Sequence, residues 1–352
     1  MGEPVVIFQN YYTPYRHALF EDIGRRGTDL IVCYAQKPSD EGRKWKQTSA
    51  PTSYRSVDCF RFLIGPFVFF WVPREISIAH RIVLLDNNPT NLCMIAWAIV
   101  FKLKRKQMRL WLQHIPDRFK GKLKLAFQRS CSRILIKLSE RVIVFSEMTE
   151  QYLRSIAENV PSDKVRYCVP YDHQPGPAHS RWHSKVRRFG YLGVNTARKN
   201  VSALIEAFMR LNDPGAELHI GGFEPPLEVR DRDPRVHWWG YVEGVERERF
   251  YKSIDVLVLP SFSDPWGLVV NEAMHRGCLA GVSTECGSSE MIRQLSPAFV
   301  FAPHEAGIST FLSTCLALSP IERNNLQLKA AELIQNYSIP GTSKIWHDLL
   351  NA

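Results

Sequence analysis

The 352-residue sequence lacks several features that would assign it to a specialised class of protein. Its longest apolar run, Leu92 to Phe101, is too short to cross a bilayer, which takes about 20 residues. Met1 to Asn10 is a strand-like run without a basic leader, so we expect no signal peptide. The eight cysteines form no C-x-x-C pair and are scattered, mostly within apolar runs. These absences favour buried thiols over disulfides or zinc, and they predict a protein of a reducing compartment, the cytoplasm.

The composition is that of an ordinary globular protein, with 45% hydrophobic and 23% charged residues. The length predicts two domains, each able to bury its own core. Charge is distributed unevenly, because residues 1–170 hold 27 Lys+Arg against 15 Asp+Glu, whereas residues 171–352 hold 18 against 20. The basic first half therefore predicts an anionic partner such as a membrane surface, a lipid phosphate or an acidic glycan.

Short apolar runs alternate with helix-like stretches through the first half. This alternation is typical of a parallel sheet covered on both faces. Residues 39–58 are polar and irregular and are predicted to form a loop. The predicted strands are Val5–Phe8, Leu30–Ala35, Ile82–Leu85, Leu110–Leu112 and Val142–Phe145, and the predicted helices cover about 15–26, 91–101 and 120–138.

The same alternation resumes after Pro170 to Pro177, whose prolines and glycine predict a linker. We therefore predict an α/β protein of two doubly wound domains facing a cleft, at 1–170 and 178–336, with a helix at about 337–352 packing back on the first. The second set of strands is Phe189–Leu192, Leu218–Ile220, Val236–Tyr241, Val256–Leu259 and Leu279–Ser283, with helices at about 200–211, 268–275, 305–317 and 321–335.

A stretch from Ser261 to Met274 follows a buried strand and carries the strongest chemical signal. Asp264 before Pro265 is typical of a helix start, with a capping acid and a proline at the first helical position. The free amides of Gly267 and Leu268 would then bind an anion or a hydroxyl group. Glu272 lies on the stripe opposite the apolar positions. The alternative is a capped core helix that carries one solvated acid.

Two further positions lie at strand ends. Arg198 and Lys199 stand where a helix is predicted to begin, with Asn200 as its cap, and their charges would hold a diphosphate there. The alternative is a basic solvated turn. His114 ends the strand Leu110–Leu112 and would face the expected cleft as a hydrogen-bonding or proton-transferring group, or it is an ordinary structural histidine.

Taken together, these segments resemble the retaining glycosyltransferases of GT-B fold often called family 4. The order and spacing of "FGYLG", "RKNVSALIEAF", "LHIGG", "WWGYVEGVERERFYKSIDVLVLPSFSDPWGLVVNEAMHRG" and "CGSSEMI" carry the resemblance, which covers residues 187–300 well and the first half in outline. It implies the GT-B fold of two Rossmann-like domains. It also implies transfer of a sugar from a nucleoside diphosphate sugar with retention of configuration.

The resemblance also implies roles for individual residues. The family's Glu-x7-Glu motif corresponds to Asp264 and Glu272, which would contact the donor sugar and the ribose, respectively. Val194 stands where the family usually has an arginine, and Arg198 is a candidate replacement. The implied catalytic residues are His114 and Asp264. The implied donor-binding residues are Gly193, Asn195, Arg198, Lys199, Tyr241, Trp266, Gly267, Leu268 and Glu272.

The resemblance implies catalysis without a metal or other cofactor, since the fold class stabilises its diphosphate leaving group with protein charges. Asp231-Arg-Asp233 has the spacing of a metal-binding D-x-D but lies in a polar loop away from the motifs. The function implied is hexosyl transfer to a glycan, lipid-linked or other hydroxyl acceptor in polysaccharide or glycoconjugate biosynthesis. Two alternatives stay open: a nucleotide-sugar epimerase of the same fold, and a non-catalytic subunit that binds a sugar nucleotide.

The first domain is expected to receive the acceptor. The basic helix from Arg118 to Lys137 and the aromatic residues Phe67, Phe69, Phe70 and Trp71 would suit peripheral binding at the inner face of an anionic membrane. The alternative is a sheet-covering helix with a solvated basic face and a core-packed aromatic segment. Nucleic acid is not predicted as a partner, because the sequence has no aromatic–basic nucleic-acid motif.

Overall fold

A computed structural model describes residues 3–37, 50–73, 76, 79–86, 90–113, 121–169, 185–227, 230 and 232–352. The chain divides into two compact units. The first comprises Met1–Pro170 with Tyr337–Ala352, and the second comprises Tyr171–Asn336. The predicted linker from Pro170 to Pro177 lies outside the described residues.

The first unit is built, within the described ranges, on a seven-stranded parallel sheet of order β3-β2-β1-β6-β7-β8-β9. The central strands are buried along their whole length, which is why they read as continuous apolar runs. The five predicted strands of this half are confirmed. The sheet strands are β1 (Val5–Gln9), β2 (Leu30–Tyr34), β3 (Arg55–Asp58), β6 (Arg81–Asp86), β7 (Gln107–Leu112), β8 (Arg141–Val144) and β9 (Ser162–Lys164).

Helices cover this sheet, and the last helix of the chain belongs to the same unit. Arg26 Nε donates to Ser343 Oγ at 2.8 Å, and the rings of Trp111 and Trp346 lie 4.6 Å apart. These contacts fasten α11 to α1 and to β7. The helices are α1 (Pro14–Arg25), α2 (Asn91–Leu103), α3 (Lys122–Leu138), α4 (Glu147–Ile156) and α11 (Ile339–Asn351).

Two features of this unit differ from the sequence prediction. Residues 55–58, predicted as loop, form β3, an exposed strand at the edge of the sheet. An edge strand needs no continuous apolar run, so the pattern did not reveal it. Residues 60–71 form an antiparallel hairpin of β4 (Phe60–Ile64) and β5 (Phe67–Trp71), which the sequence did not predict.

The second unit contains a six-stranded parallel sheet of order β12-β11-β10-β13-β14-β15 in its described part. The predicted strands and helices are found, with ends shifted by a few residues at most. The strands are β10 (Arg188–Leu192), β11 (Glu217–Gly221), β12 (Val236–Gly240), β13 (Val256–Leu259), β14 (Leu279–Ser283) and β15 (Val300–Phe301). The helices are α5 (Val201–Met209), α6 (Gly244–Ser253), α7 (Leu268–His275), α8 (Ser289–Leu295), α9 (Glu305–Ala317) and α10 (Pro320–Gln335).

All eight cysteines are buried and none forms a disulfide, which confirms the prediction made from their positions. In the described part of the chain, no helix combines the length and apolar character needed to cross a membrane.

Candidate functional site

The strand order of the second unit brings two distant loops together. After β10 the chain continues to β11 on one side, and β13 pairs with the other side of β10. The loops that follow β10 and β13 therefore meet at the carboxyl edge of the sheet, where its winding direction reverses. Open α/β sheets bind ligands at this kind of point.

Lys199 and Asp264 meet at this edge. Lys199 ends a 3-10 turn, Ala197–Lys199, after β10, and its Nζ lies 2.5 Å from Asp264 Oδ2. The two side chains are 15% and 9% exposed, so the pair is largely withdrawn from solvent. Burial also raises the pKa of the neighbouring Cys286 thiol to about 12, which keeps this thiol neutral. The charged side chains of this corner are therefore those of Lys199, Asp264 and the neighbouring Arg198.

Asp264 is not the cap of the following helix, so that part of the sequence interpretation is wrong. Helix α7 begins at Leu268, and its N-cap is Gly267, without a side-chain cap. The Asp264 carboxylate is engaged elsewhere, because its Oδ1 accepts from the Trp266 amide at 3.3 Å and its Oδ2 contacts Lys199. The local sequence suggested that Asp264 caps α7. Its carboxylate instead contacts Lys199, 65 residues away in the chain.

Gly267 is required by its surroundings. Its φ is +87°, and a Cβ atom there would lie 2.3 Å from Leu259 Cδ2. The amides of Leu268 and Val269, the first two of α7, have no preceding helical carbonyl to which they could donate. Ser288 Oγ, buried at the start of α8, has no hydrogen-bond partner among the residues that the structure describes. The turn thus gathers donors that could bind an anion or a hydroxyl group.

Arg198 and Asn200 join the two loops. Arg198 Nη1 donates to the Ser263 carbonyl at 2.6 Å. Asn200 precedes α5 with φ +57° but makes no side-chain cap, contrary to the prediction. Its side-chain Nδ2 instead donates to the carbonyls of Pro260 at 3.0 Å and Pro303 at 2.6 Å. Both side chains therefore fix the position of Lys199 relative to the loop that carries Asp264.

The turn after β10 packs backbone to backbone on the turn after β11. The Gly193 amide donates to the Gly221 carbonyl at 3.0 Å. A Cβ atom on Gly222 would lie 2.3 Å from the Gly193 oxygen. The next residues, Val194 and Asn195, are exposed. Since Val194 is 54% exposed and apolar, its side chain adds no donor for an anion, which leaves the backbone amides, the exposed Asn195 and the neighbouring Arg198.

Glu272 lies on α7, one turn after its start, and its carboxylate is held from two sides. Oε2 accepts from Tyr251 Oη at 2.8 Å, and Oε1 lies 3.6 Å from Arg247 Nη1. Burial raises the pKa of Tyr251 well above its ordinary value, so the phenol remains a donor. The Glu272 side chain keeps 19% of its surface exposed. It is an oriented acceptor that a hydroxyl-bearing ligand can reach.

The remaining predicted site residues are Tyr241, Trp266 and His114. Tyr241, after β12, is 56% exposed, and its hydroxyl donates to Glu243 Oε2 at 3.2 Å. Trp266 is 3% exposed, and its indole donates to Asn271 Oδ1 at 2.7 Å, so its ring belongs to the core. His114 lies outside the described residues.

The residue before His114 takes part in a polar group that the sequence analysis did not identify. In the first unit, the Arg16 guanidinium donates to the side-chain oxygens of Gln9 and Gln113 and lies over the Trp111 ring at 5.0 Å. Arg16 is 8% exposed, and among the described residues no carboxylate pairs with it. Its only signal in the sequence is an arginine shortly after β1, in a segment without acids.

Glu217, His219 and His237 bring ligand-type atoms within 4.8 Å of one another on β11 and β12. Trp239 Nε1 donates to His219 Nδ1 at 3.1 Å, so the ring proton of a neutral His219 resides on Nε2. Nε2 then donates to Glu217 Oε2 at 3.0 Å. With this network intact, His219 has no lone pair to offer a metal. Glu217, His219 and Trp239 form a hydrogen-bonded cluster, and the His237 ring lies 4.8 Å from the His219 ring.

Residues 186–318 match the sequence profile of the family described as Glycosyl transferases group 1. An uncharacterized glycosyltransferase from Methanocaldococcus jannaschii is 29% identical over 180 residues, which make up 44% of this chain and 44% of that protein. The match thus spans less than half of this relative's length.

Solved structures similar to the whole chain share its fold at low sequence identity. Sucrose-phosphate synthase from Thermosynechococcus elongatus has a TM-score of 0.72 at 14% identity, covering 99% of this chain and 98% of that chain. HepE from Anabaena, in complex with UDP, has a TM-score of 0.68 at 12% identity, covering 99% of each chain. The second unit is therefore a domain of the glycosyl transferases group 1 family, in a chain that has the two Rossmann-like units of the GT-B fold.

Proposed function

We propose that the protein is a retaining glycosyltransferase that takes a sugar from a nucleoside diphosphate sugar bound to its second unit. The observation that carries this proposal is the Lys199–Asp264 pair, 2.5 Å apart, where the sheet reverses its winding direction. This corner combines a cation for the diphosphate, an acid for the sugar and the first two amides of α7, which the helix itself does not satisfy. The family match of residues 186–318 supports the same assignment.

In this proposal the donor diphosphate lies against Lys199, Arg198 and the first amides of α7. Cleavage of the anomeric C–O bond leaves positive charge on the sugar ring and negative charge on the departing diphosphate. Preorganised cations and amides stabilise that negative charge in the transition state. Because these groups supply the positive charge, we propose that no metal or other cofactor is needed.

Asp264 and Glu272 have separate tasks in this scheme. Asp264 faces the donor sugar, together with the amides of Gly267 and Leu268. Glu272, held by Tyr251 at 2.8 Å, accepts the ribose hydroxyl groups. Tyr241, beside the exposed end of β12, and the backbone around Gly193 and Asn195 border the nucleotide. His114 is proposed as the group of the first unit that acts on the transferred sugar.

The acceptor is proposed to be a glycan, a lipid-linked sugar or another hydroxyl compound, received by the first unit in polysaccharide or glycoconjugate synthesis. Two similar solved structures suggest which donors and acceptors to test first. WaaG, 15% identical with a TM-score of 0.66, is described as a glycosyltransferase of lipopolysaccharide biosynthesis. HepE has been solved with UDP and glucose. UDP-sugars and lipid-linked acceptors are therefore the first compounds to test, at a cytoplasmic membrane face.

A thermal-shift panel of UDP-, GDP-, dTDP- and ADP-sugars tests the donor, and product analysis then tests the reaction. We expect one nucleotide class to stabilise the protein. With acceptor present, proton NMR should show the new linkage with the anomeric configuration of the donor. Conversion of the donor sugar without any acceptor would instead indicate an epimerase. Donor binding without turnover on any acceptor would indicate a binding subunit.

A further inference from the structure

The hairpin of β4 and β5 is fixed to the first unit by one of its faces. Val68 and Phe70 point inward and are 4% and 3% exposed. The Phe70 ring lies 5.9 Å from Phe8 in the core. The Phe70 carbonyl accepts from Trp97 Nε1 at 3.1 Å, and its amide donates to Cys93 Sγ at 3.3 Å. The hairpin is thus held in a defined position.

The opposite face of the hairpin is entirely apolar. Cross-strand partners share a face of a sheet, and the three pairs on this face are Phe60–Trp71, Phe62–Phe69 and Ile64–Phe67. Phe60 is 77% exposed, Trp71 68%, Ile64 58% and Phe62 53%. A contiguous exposed patch of this kind marks an interaction surface.

Helix α3 extends this patch. The Phe67 ring lies 5.9 Å from Phe127, which is 39% exposed. Leu123, one turn earlier on α3, is 90% exposed. Side chains exposed to this degree protrude from the surface of the first unit, as residues that enter a headgroup layer must.

Positive charge lies beside the patch, on α3. Every basic residue of α3 is exposed, and the helix contains no acid. From Asn91 to Leu138 the sequence has twelve lysines and arginines against one acid, Asp117. A protruding apolar patch with basic neighbours is complementary to a bilayer, where aromatic rings enter the headgroup layer and cations meet lipid phosphates. The α3 residues are Lys122, Lys124, Arg129, Arg133 and Lys137.

We infer that the outer face of the hairpin, with the start of α3, inserts into the headgroup layer of a membrane that contains anionic lipid. This inference deepens the proposed membrane location and rests on it, but it does not depend on the chemistry of sugar transfer. The hairpin would anchor the first unit at the surface where a lipid-linked acceptor resides. The basic face of α3 would select anionic lipid.

Vesicle cosedimentation tests the inference. We expect binding to phosphatidylcholine–phosphatidylglycerol vesicles, much weaker binding to phosphatidylcholine alone, and weakening by high salt. The triple variant Phe60→Ser, Phe62→Ser, Ile64→Ser should bind at least about tenfold more weakly. A matched control, Val245→Ser, Ile321→Ser, Leu328→Ser, alters side chains of the second unit that are 68%, 75% and 51% exposed and should bind like the unaltered protein.

A probe at the hairpin reports insertion directly. All eight natural cysteines are buried, so Phe62→Cys can be labelled selectively with an environment-sensitive fluorophore. We expect a blue shift on anionic vesicles. The inference is overturned if the unaltered protein binds no vesicles, if it binds neutral vesicles equally well, or if the triple variant binds normally. A dimer that the triple variant abolishes, without vesicle binding, would assign the patch to a second copy of the chain. Nucleotide binding measured on the same variants tests the donor proposal separately.

Discussion

The two units bury charge in different ways. In the second unit, buried charges come in pairs: Lys199 contacts Asp264, and Asp255 contacts Arg188 at 2.6 Å and Arg323 at 2.9 Å. In the first unit, Arg16 lies between the amide oxygens of two glutamines. Asp86, at the end of β6, accepts from Asn91 and Ser132, each at 2.7 Å. Neither Arg16 nor Asp86 has an oppositely charged partner among the described residues.

The pKa values of the buried acids follow this difference. Burial raises the pKa of Asp86 to about 6, because its neutral partners only partly offset the loss of water. Burial would also raise the pKa of Asp255, but Arg188 and Arg323 outweigh it and hold that pKa below its usual value. Pairing keeps Lys199 and Asp264 charged at the corner proposed to bind the charged donor. The unpaired Asp86 instead makes the stability of the first unit depend on pH.

The largest effect is expected where a paired charge is left alone. Asp255→Ala would leave Arg188 and the fully buried Arg323 without a carboxylate, and should destabilise the second unit by about 3–5 kcal/mol. The control is Asp163→Ala in the first unit, which breaks a partly exposed pair with Arg141 and should lower the free energy of unfolding by about 1 kcal/mol or less. Urea unfolding measures both costs. If both variants lost the same free energy of unfolding, the buried pairs of the second unit would stabilise it no more than a partly exposed pair does.

Acid should weaken the second unit through His275 on α7. Burial, with the nearby Arg276, lowers the pKa of His275 to about 4. The folded state therefore favours the neutral ring. The contribution of His275 to the free energy of unfolding is fully present above the unfolded pKa of about 6.5, and it is lost as pH falls towards 4. We expect a loss of about 3 kcal/mol over that window. His275→Leu should flatten the pH dependence of urea unfolding, and an unchanged slope would contradict the assignment.

The first unit should respond to pH in the opposite direction through Asp86. Its folded pKa, about 6, lies above the ordinary value of 3.8, so the fold favours the protonated acid. This contribution is complete below about pH 4 and is lost as pH rises through 6, a change of about 3 kcal/mol. Asp86→Asn should abolish this part of the pH dependence. Hydrogen exchange of peptides from β6 and α3 can follow the first unit separately.

The smallest effect is expected at Tyr251, which positions Glu272. Tyr251→Phe removes one hydrogen bond, worth about 1 kcal/mol, and should weaken nucleotide binding about fivefold. A merely structural role would lower the melting temperature without changing affinity at a temperature where the variant is folded. Calorimetry with a nucleoside diphosphate and with its 2′,3′-dideoxy form separates these cases, because only the ribose form should lose affinity.

Much of the fold could be predicted, because buried parallel strands leave short apolar runs. The span of α7, Leu268–His275, was predicted from its apolar pattern, although the start expected from Asp264 and Pro265 was wrong. The hairpin of β4 and β5 was missed, since apolar residues on both of its faces hide the alternation that usually reveals a strand.

The candidate site was predicted as a set of residues but not as an arrangement. Asp264 before Pro265 looked like a local cap, whereas its carboxylate contacts Lys199, far away in the chain. The partners of Arg16 could not be predicted, because Gln9 ends β1 whereas Gln113 follows β7, far away in the chain. Partnerships of this kind depend on strand order, which a single sequence does not specify.

The central claim is that Lys199 and Asp264 form the donor site, and calorimetric titration with the nucleoside diphosphate that stabilises the protein tests it most directly. Lys199→Ala should raise the Kd about 10- to 100-fold, the range expected for losing a charged hydrogen bond. The double variant Lys199→Met, Asp264→Asn removes both charges and should regain stability but not affinity. Arg249→Ala removes an exposed cation on α6 and should bind normally. A wild-type Kd in either Lys199 variant would contradict the account.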